Sequence, residues 1–173
     1  MAISWAEKEA MKTPFDALIA EAAEASDLDK VLVQALIAQE SGGNPWASRV
    51  EPGYLANEVV KREAQAWSQR HHGVPTTQTE LYLRSSSFGL LQIMGQVARE
   101  NGFAPRYLTA LYDPMTNLEL GCRLLQKRIN KAINQDHAIL MWNAGMGSKP
   151  PAPDNAYVAS VKRFMQETPY GSA

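Results

Sequence analysis

The sequence has few of the features that mark cross-linked, membrane-embedded or nucleic-acid-binding proteins. Cys122 is the only cysteine among 173 residues, which excludes an intramolecular disulfide. No stretch approaches the ~20 consecutive apolar residues that a membrane helix requires. The formal net charge is -1, so no overall basic field favours a polyanion. We therefore expect neither membrane insertion nor a nucleic-acid partner.

The composition is that of an ordinary folded domain. Hydrophobic residues make up 45% and charged residues 20% of the chain, which is typical of globular proteins. No internal repeat or long linker divides the sequence, so we predict a single domain over residues 1–173 and a monomer. Cys122 lies in an apolar, helical setting and is interpreted as a core residue rather than a nucleophile.

The N-terminus also lacks a targeting signal. Residues 1–10 have no basic start followed by an apolar run, so they do not resemble a secretory signal peptide. We expect the protein to be made in the cytoplasm. Any target outside the membrane would then be reached by release or delivery.

Helical signals dominate, and alternating β-branched runs bounded by hairpin turns are missing. An all-α fold is therefore predicted. Asp27 is the predicted N-cap of the second helix, and the Ser85–Ser87 run is the predicted start of the fourth. Gly42 and Gly43 end the second helix, and residues 45–56 and 145–154 are predicted loops. The predicted helices are approximately 14–25, 28–41, 57–70, 88–101, 114–131, 135–144 and 155–167.

A carboxyl group, that of Glu40, lies at the end of the second predicted helix. Glu40 follows a run at residues 31–38 that is apolar except for Gln34, and it occupies the last helical turn. Burial and the negative end of the helix dipole both disfavour the ionised form and are expected to raise the pKa of Glu40. A carboxylic acid that keeps its proton near neutral pH can protonate a departing glycosidic oxygen. Taken alone, the same position also suits a solvated residue at a helix end.

Five short segments follow one another along the chain. Each is a weak signal by itself, because short motifs recur by chance. In this order they resemble the soluble lytic transglycosylase family, which is related to goose-type lysozyme, and in particular its phage-associated members. The segments are residues 40–45, 87–94, 113–121, 142–145 and 156–161.

The resemblance implies a lysozyme-like helical fold with a groove for a peptidoglycan glycan strand. The groove of the family lies between the catalytic helix and the segment at residues 87–94. Glu40 would be the single acid/base and would protonate the oxygen between N-acetylmuramic acid and N-acetylglucosamine. It would then take the proton of the muramic acid 6-hydroxyl, whose oxygen closes a 1,6-anhydro ring. This chemistry implies no metal and no cofactor.

The resemblance also implies roles for residues around the catalytic carboxylate. Ser87 would orient its proton, and it can be a helix N-cap at the same time. Gln92 and Asn143 would contact sugar amides or hydroxyls, and Gly89 would leave room for the glycan. Tyr157 would place its hydroxyl near the carboxylate and help set its protonation.

Other acids and aromatic residues are less specific. Glu51 is a candidate for a substrate-binding role, because residues 51–54 resemble a stretch of phage-associated members. Glu58, Glu63 and Glu80 are interpreted as surface charges. Three tryptophans are candidates for stacking on sugars, although packing inside the protein is the commoner role: Trp46, Trp67 and Trp142.

The sequence departs from compact family members at residues 50–84, where it is longer. We predict a mostly helical inserted segment there, which either walls the groove or binds elsewhere on the wall. His71 and His72 within it are not a convincing metal site. Adjacent helical histidines point apart, and no cluster of Cys or Asp accompanies them.

Two other functions are compatible with these residues. One is a goose-type lysozyme that hydrolyses the same bond, which needs an activated water or a second carboxylate such as Glu51. The other is a non-catalytic glycan-binding or virion structural module, which has no use for the acid at Glu40. The N-terminus and residues 51–54 favour a bacteriophage endolysin or virion-associated wall-degrading enzyme. Such a protein would act on the cell wall after lysis-linked release or as a virion component.

Overall fold

The computed structural model describes residues 14–167, which fall into two compact units. Within this range, unit 1 comprises residues 14–43 and 118–167, and unit 2 comprises residues 44–117. The described residues are mostly helical and contain one small sheet. None of their helices is long and apolar enough to cross a membrane. The prediction of a single domain stays a prediction.

Nine α-helices and three strands make up the described part of the chain. Residues Leu108–Tyr112 form an additional 3-10 helix. The helices are α1 (Asp16–Ala25), α2 (Lys30–Ser41), α3 (Pro52–Ala56), α4 (Glu58–Arg70), α5 (Thr77–Arg84), α6 (Gly95–Glu100), α7 (Pro114–Lys131), α8 (Gln135–Ala144) and α9 (Ala156–Glu167). The strands are β1 (Ser48–Val50), β2 (Ser86–Phe88) and β3 (Ile93–Met94).

Helix α2 is apolar over most of its surface because α1 and α9 both pack against it in unit 1. Its N-cap is Asp29, whose Oδ1 accepts a hydrogen bond from the Val31 amide at 2.8 Å. The prediction of Asp27 as N-cap is wrong, since Asp27 has φ +52° and precedes the cap. Gly42 ends the helix as predicted, with φ +60°. Five apolar side chains of α2 are fully buried: Leu32, Val33, Ala35, Leu36 and Ile37.

Unit 2 contains an antiparallel sheet that the sequence did not predict. Its order is β1-β2-β3, with Arg49 opposite Ser87 and Ser87 opposite Met94. The predicted helix over residues 88–101 is wrong in its first half, and Ser87 is the middle of a strand rather than a helix cap. Gly89 and Gln92 have φ +73° and +47°, which no α-helix accommodates. The predicted loop at residues 45–56 likewise contains β1 and α3.

The segment at residues 50–84 is mostly helical, as predicted, but its charges are not all on the surface. The carboxylate of Glu80 is fully buried between two guanidinium groups. Nε of Arg84 lies 3.0 Å and Nε of Arg99 2.9 Å from Oε1 of Glu80. The interpretation of Glu80 as a surface charge is therefore wrong. Its carboxylate can be buried because Arg84 of its own helix α5 and Arg99 of α6 both pair with it. Glu58, by contrast, is exposed and pairs with Lys61.

Candidate active site

Two helices of unit 1 bring a carboxylate and a phenol together. Glu40 lies in the last turn of α2, and Tyr157 is the second residue of α9. Because α9 packs along α2, the Tyr157 hydroxyl donates a hydrogen bond to Oε1 of Glu40. Both side chains are only half-buried. The site therefore joins a partly accessible carboxylate to a fixed hydrogen-bond donor.

The electrostatics of this pair keep the phenol protonated. Burial raises the pKa of Tyr157 first, and the negative charge of Glu40 and the hydrogen bond to it raise it further. A protonated phenol that donates to a carboxylate favours the ionised form of that carboxylate. Tyr157 is thus suited to stabilise charge on Glu40 rather than to act as a base.

A second hydrogen bond joins the same turns of α2 and α9. The Ser160 hydroxyl donates to Oε1 of Gln39 at 2.6 Å. Gln39 directly precedes Glu40, and Ser160 lies one turn after Tyr157. The two bonds together fix how α9 is placed along α2. Sequence analysis assigned no role to either residue: Ser160 lies within the segment at residues 156–161, and Gln39 lies outside all five segments.

Ser41 closes the helix that carries the carboxylate. Its hydroxyl donates to the carbonyl of Ile37 at 3.2 Å and accepts from the amide of Gly43 at 3.2 Å. These bonds satisfy polar groups at the helix end, where the backbone has no further helical partners. In the segment at residues 40–45, Ser41 therefore supports the turn that carries Glu40.

Asn143 also belongs to unit 1, at the exposed end of α8. Its neighbour Trp142 is half-buried, with the guanidinium of Arg128 4.8 Å from the ring centroid. Arg128 further donates to the carbonyl of Met141 at 3.2 Å. Asn143 thus stands on a firmly held helix end, and its sugar-binding role remains a prediction.

The polar residues predicted at residues 87–94 bond to one another in unit 2. The Ser87 hydroxyl donates to Oε1 of Gln92 at 2.8 Å. Nε2 of Gln92 donates to the carbonyl oxygens of Ala47 and Gly89, both at 2.9 Å. The Gln92 amide therefore ties a loop to the turn between β2 and β3. Nε2 of Gln92 therefore donates to groups of the protein itself, whereas the sequence analysis predicted that Gln92 contacts sugars.

Gly89 is required by the packing of this turn. A Cβ atom there would lie 2.4 Å from Nδ2 of Asn117 and 2.6 Å from the carbonyl of Leu111. Asn117 is fully buried, donates to the carbonyls of Phe88 and Leu111, and accepts from the amide of Leu91. The space beside Gly89, where a Cβ atom would lie, is therefore occupied by the side chain of Asn117. Asn117 belongs to the segment at residues 113–121 that carries the family resemblance, but the sequence analysis gave it no role.

Glu51 lies in unit 2 as the N-cap of α3. Its Oε1 is 2.6 Å from Nη2 of Arg49, and its amide donates to the carbonyl of Ser85 at 2.7 Å. The carboxylate is thus engaged by a neighbouring cation on the surface. Its substrate-binding role stays a prediction.

The match to a known family covers most of the chain. The family described as Transglycosylase SLT domain matches residues 17–163, a range that extends through both units. The chain belongs to this family. Its members are lytic transglycosylases that act on peptidoglycan, which confirms the predicted enzyme class and the lysozyme-like fold. A search of curated proteins gave no significant match.

Two further features of this SLT transglycosylase concern metal binding and its single thiol. Among residues 14–167, no three His, Cys, Asp or Glu side chains are grouped so that they could hold a metal ion. Cys122 is fully buried, as predicted for a core residue. Burial raises the pKa of its thiol to about 12, so the thiolate needed of a nucleophile is not formed near neutral pH.

Proposed function

We propose that this enzyme cleaves the β-1,4 bond between N-acetylmuramic acid and N-acetylglucosamine and leaves 1,6-anhydro-muramic acid ends. The observation that carries the proposal is the hydrogen bond from Tyr157 to Glu40 at the end of α2. It provides one carboxylate with a donor that supports its charged state. An acid/base that must alternate between protonated and ionised forms needs such support.

The proposed reaction uses Glu40 twice. Its carboxyl proton passes to the glycosidic oxygen as the bond from that oxygen to the anomeric carbon breaks. The carboxylate that remains is stabilised by the Tyr157 hydroxyl. It then takes the proton of the muramic acid 6-hydroxyl while that oxygen bonds to the anomeric carbon. Glu40 ends the cycle protonated, and no water is consumed.

A hydrolytic route needs a base for water, and Glu51 was the candidate. The Glu51 carboxylate is already paired with Arg49, whose Nη2 lies 2.6 Å from Oε1. The single-carboxylate route therefore accords better with the described side chains. Both routes break the same bond, so the products distinguish them.

The decisive experiment is a digest of purified peptidoglycan followed by mass spectrometry of the fragments. Ring closure gives fragments lighter by one water molecule than their hydrolysed counterparts. Reducing ends would overturn ring closure and point to water as the nucleophile. Glu40→Gln, which keeps the shape of the side chain, is expected to abolish release of fragments without loss of the folded state. An absence of fragments from the wild-type protein, on a wall that a control enzyme digests, would overturn the enzymatic proposal.

We further propose that the enzyme is a bacteriophage endolysin or a virion-associated wall-degrading protein. The support is the stretch at residues 51–54, which resembles phage-associated members and forms the start of α3. The test is expression in the cytoplasm of a bacterial host, with and without a protein that opens the inner membrane. Rapid lysis only after the membrane is opened is expected of an endolysin. Lysis that needs no membrane opening would contradict that assignment.

A further inference from the structure

Three rings of unit 2 form a series that leads from the core to the surface. Phe88 is buried, Tyr112 is half-buried, and Trp46 is 72% exposed. The centroids of Phe88 and Tyr112 are 5.2 Å apart with an edge-to-face angle of 81°. Those of Tyr112 and Trp46 are 5.8 Å apart with a tilt of 39°. The indole is thus supported by a second ring while most of it remains in water.

The exposure of Trp46 sets it apart from the other two candidate tryptophans. The ring of Trp67 lies 3.5 Å from the guanidinium carbon of Arg99, and Trp142 is covered by Arg128. The packing interpretation therefore holds for Trp67 and Trp142. It does not hold for Trp46, whose exposed surface forgoes the stabilisation that burial of a large aromatic side chain provides.

The loop that carries Trp46 is held in place by hydrogen bonds. The Trp46 amide donates to Oδ1 of Asn44 at 3.0 Å. The next residue, Ala47, accepts at its carbonyl from the Gly89 amide and from Nε2 of Gln92, both at 2.9 Å. Trp46 is therefore fixed beside the turn formed by residues 89–92. A fixed aromatic face loses little conformational entropy when a ligand covers it.

We propose that Trp46, supported by Tyr112, is a binding platform that stacks on a sugar ring of the glycan strand. The C–H face of a pyranose ring is apolar and slightly positive, and it complements the negative face of an indole. Within three residues of Trp46 along the chain, the exposed residues are polar: Asn44, Ser48 and Arg49. A single ring in a polar surround suits a neutral N-acetylated sugar, whereas a protein partner would favour a larger contiguous apolar patch. The platform rests on the proposed function and adds a substrate-binding residue to it.

The binding test uses the inactive Glu40→Gln protein, so that ligands are not cleaved. The ligands are peptide-free glycan strands and a β-1,4 tetramer of N-acetylglucosamine, titrated by calorimetry. Adding Trp46→Ala is expected to weaken binding about tenfold, which corresponds to about 1.4 kcal/mol. Trp46→Tyr keeps an aromatic face and is expected to retain most of the affinity. Ile133→Ala is the matched control, because Ile133 is 71% exposed on unit 1.

A kinetic test separates the platform from the proposed reaction. In the otherwise wild-type enzyme, Trp46→Ala is expected to raise KM about tenfold with little change in kcat. Affinity and KM equal to those of wild type, with anhydro products still formed, would overturn the platform alone. Reducing-end products from the wild type, together with lost affinity in Trp46→Ala, would overturn ring closure and leave the platform supported. An equal loss in the Ile133→Ala control would also overturn the platform.

Discussion

The hydroxyl of Tyr157 donates a hydrogen bond to Oε1 of Glu40, from a position 117 residues further along the chain. The bond exists because α9 lies against α2. It makes the charge state of the carboxylate depend on a residue of another helix.

Tyr157→Phe removes the donor and keeps the ring. A hydrogen bond to a charged group contributes about 1.5–3 kcal/mol, so kcat is expected to fall about 10- to 100-fold. Without the donor the ionised carboxylate is less stable, and Glu40 keeps its proton to higher pH. The alkaline limb of the kcat/KM profile is therefore expected to move to higher pH. An unchanged limb would show that the hydroxyl does not act on the proton of Glu40.

Ser160→Ala tests whether the bond to Gln39 positions the phenol. We expect kcat to fall several-fold and the alkaline limb to move in the same direction as in Tyr157→Phe, but by less. Ser160→Thr retains a hydroxyl and is expected to restore most of the activity. A variant with reduced thermal stability but the wild-type pH profile would assign Ser160 a purely structural role.

Glu80→Ala leaves the buried guanidinium groups of Arg84 and Arg99 without their shared carboxylate. Loss of one partner from a buried ion pair costs about 3–5 kcal/mol of unfolding free energy. Glu58→Ala is the matched control, since it removes an exposed carboxylate of an adjoining helix and is expected to change the free energy of unfolding little. Urea unfolding of the two variants measures the difference. Equal losses would contradict the importance of the buried network.

Gly89→Ala places a methyl group where Asn117 already lies, at a residue with φ +73°. The left-handed conformation alone costs a residue with a side chain about 1–2 kcal/mol, and displacement of Asn117 adds the loss of its buried hydrogen bonds. Gly53→Ala is the control, because a Cβ there meets no atom within 4 Å. We expect a clear loss of stability for Gly89→Ala only, measured by thermal unfolding. Equal melting temperatures would refute the role given to this turn.

Cys122 is expected to make the protein less stable at alkaline pH. Its folded pKa is raised to about 12 from an ordinary value of 9.0. Between these values the unfolded thiol has lost its proton and the folded thiol has not, so the free energy of unfolding falls as pH rises. Below the lower value the thiol makes no such contribution. Cys122→Ala is expected to show a shallower alkaline decline in urea unfolding, and an equal decline would contradict the assignment.

Much of the helical framework follows from local sequence signals. Gly42 ends α2 with a left-handed residue, and Pro114 begins α7, because these residue types suit helix ends directly. Local sequence does not distinguish Asp27 from Asp29 as the N-cap, since both residues are aspartate and aspartate suits the position. The strands were missed because two or three residues show no alternation. The pairing of Ser48 with Phe88 joins segments distant in the sequence.

The site was predictable only in part for the same physical reason. Motifs drew attention to Glu40 and Tyr157, but their hydrogen bond depends on the packing of α9 along α2. The segment at residues 156–161 contains Ser160 but does not predict its hydrogen bond to Gln39. The burial of Glu80 could not be predicted because it depends on Arg99, which packing brings to the carboxylate from another helix. The spacing of Glu80 and Arg84 shows that they share a helix face, but not that this face is covered.

The single, deeply buried thiol also makes the protein a convenient host for spectroscopic probes. Thiol-reactive dyes attack the thiolate, which Cys122 does not form near neutral pH. A cysteine introduced at an exposed position would therefore be the sole site of modification. A fluorophore or spin label can be attached there to the native sequence background, without first replacing Cys122.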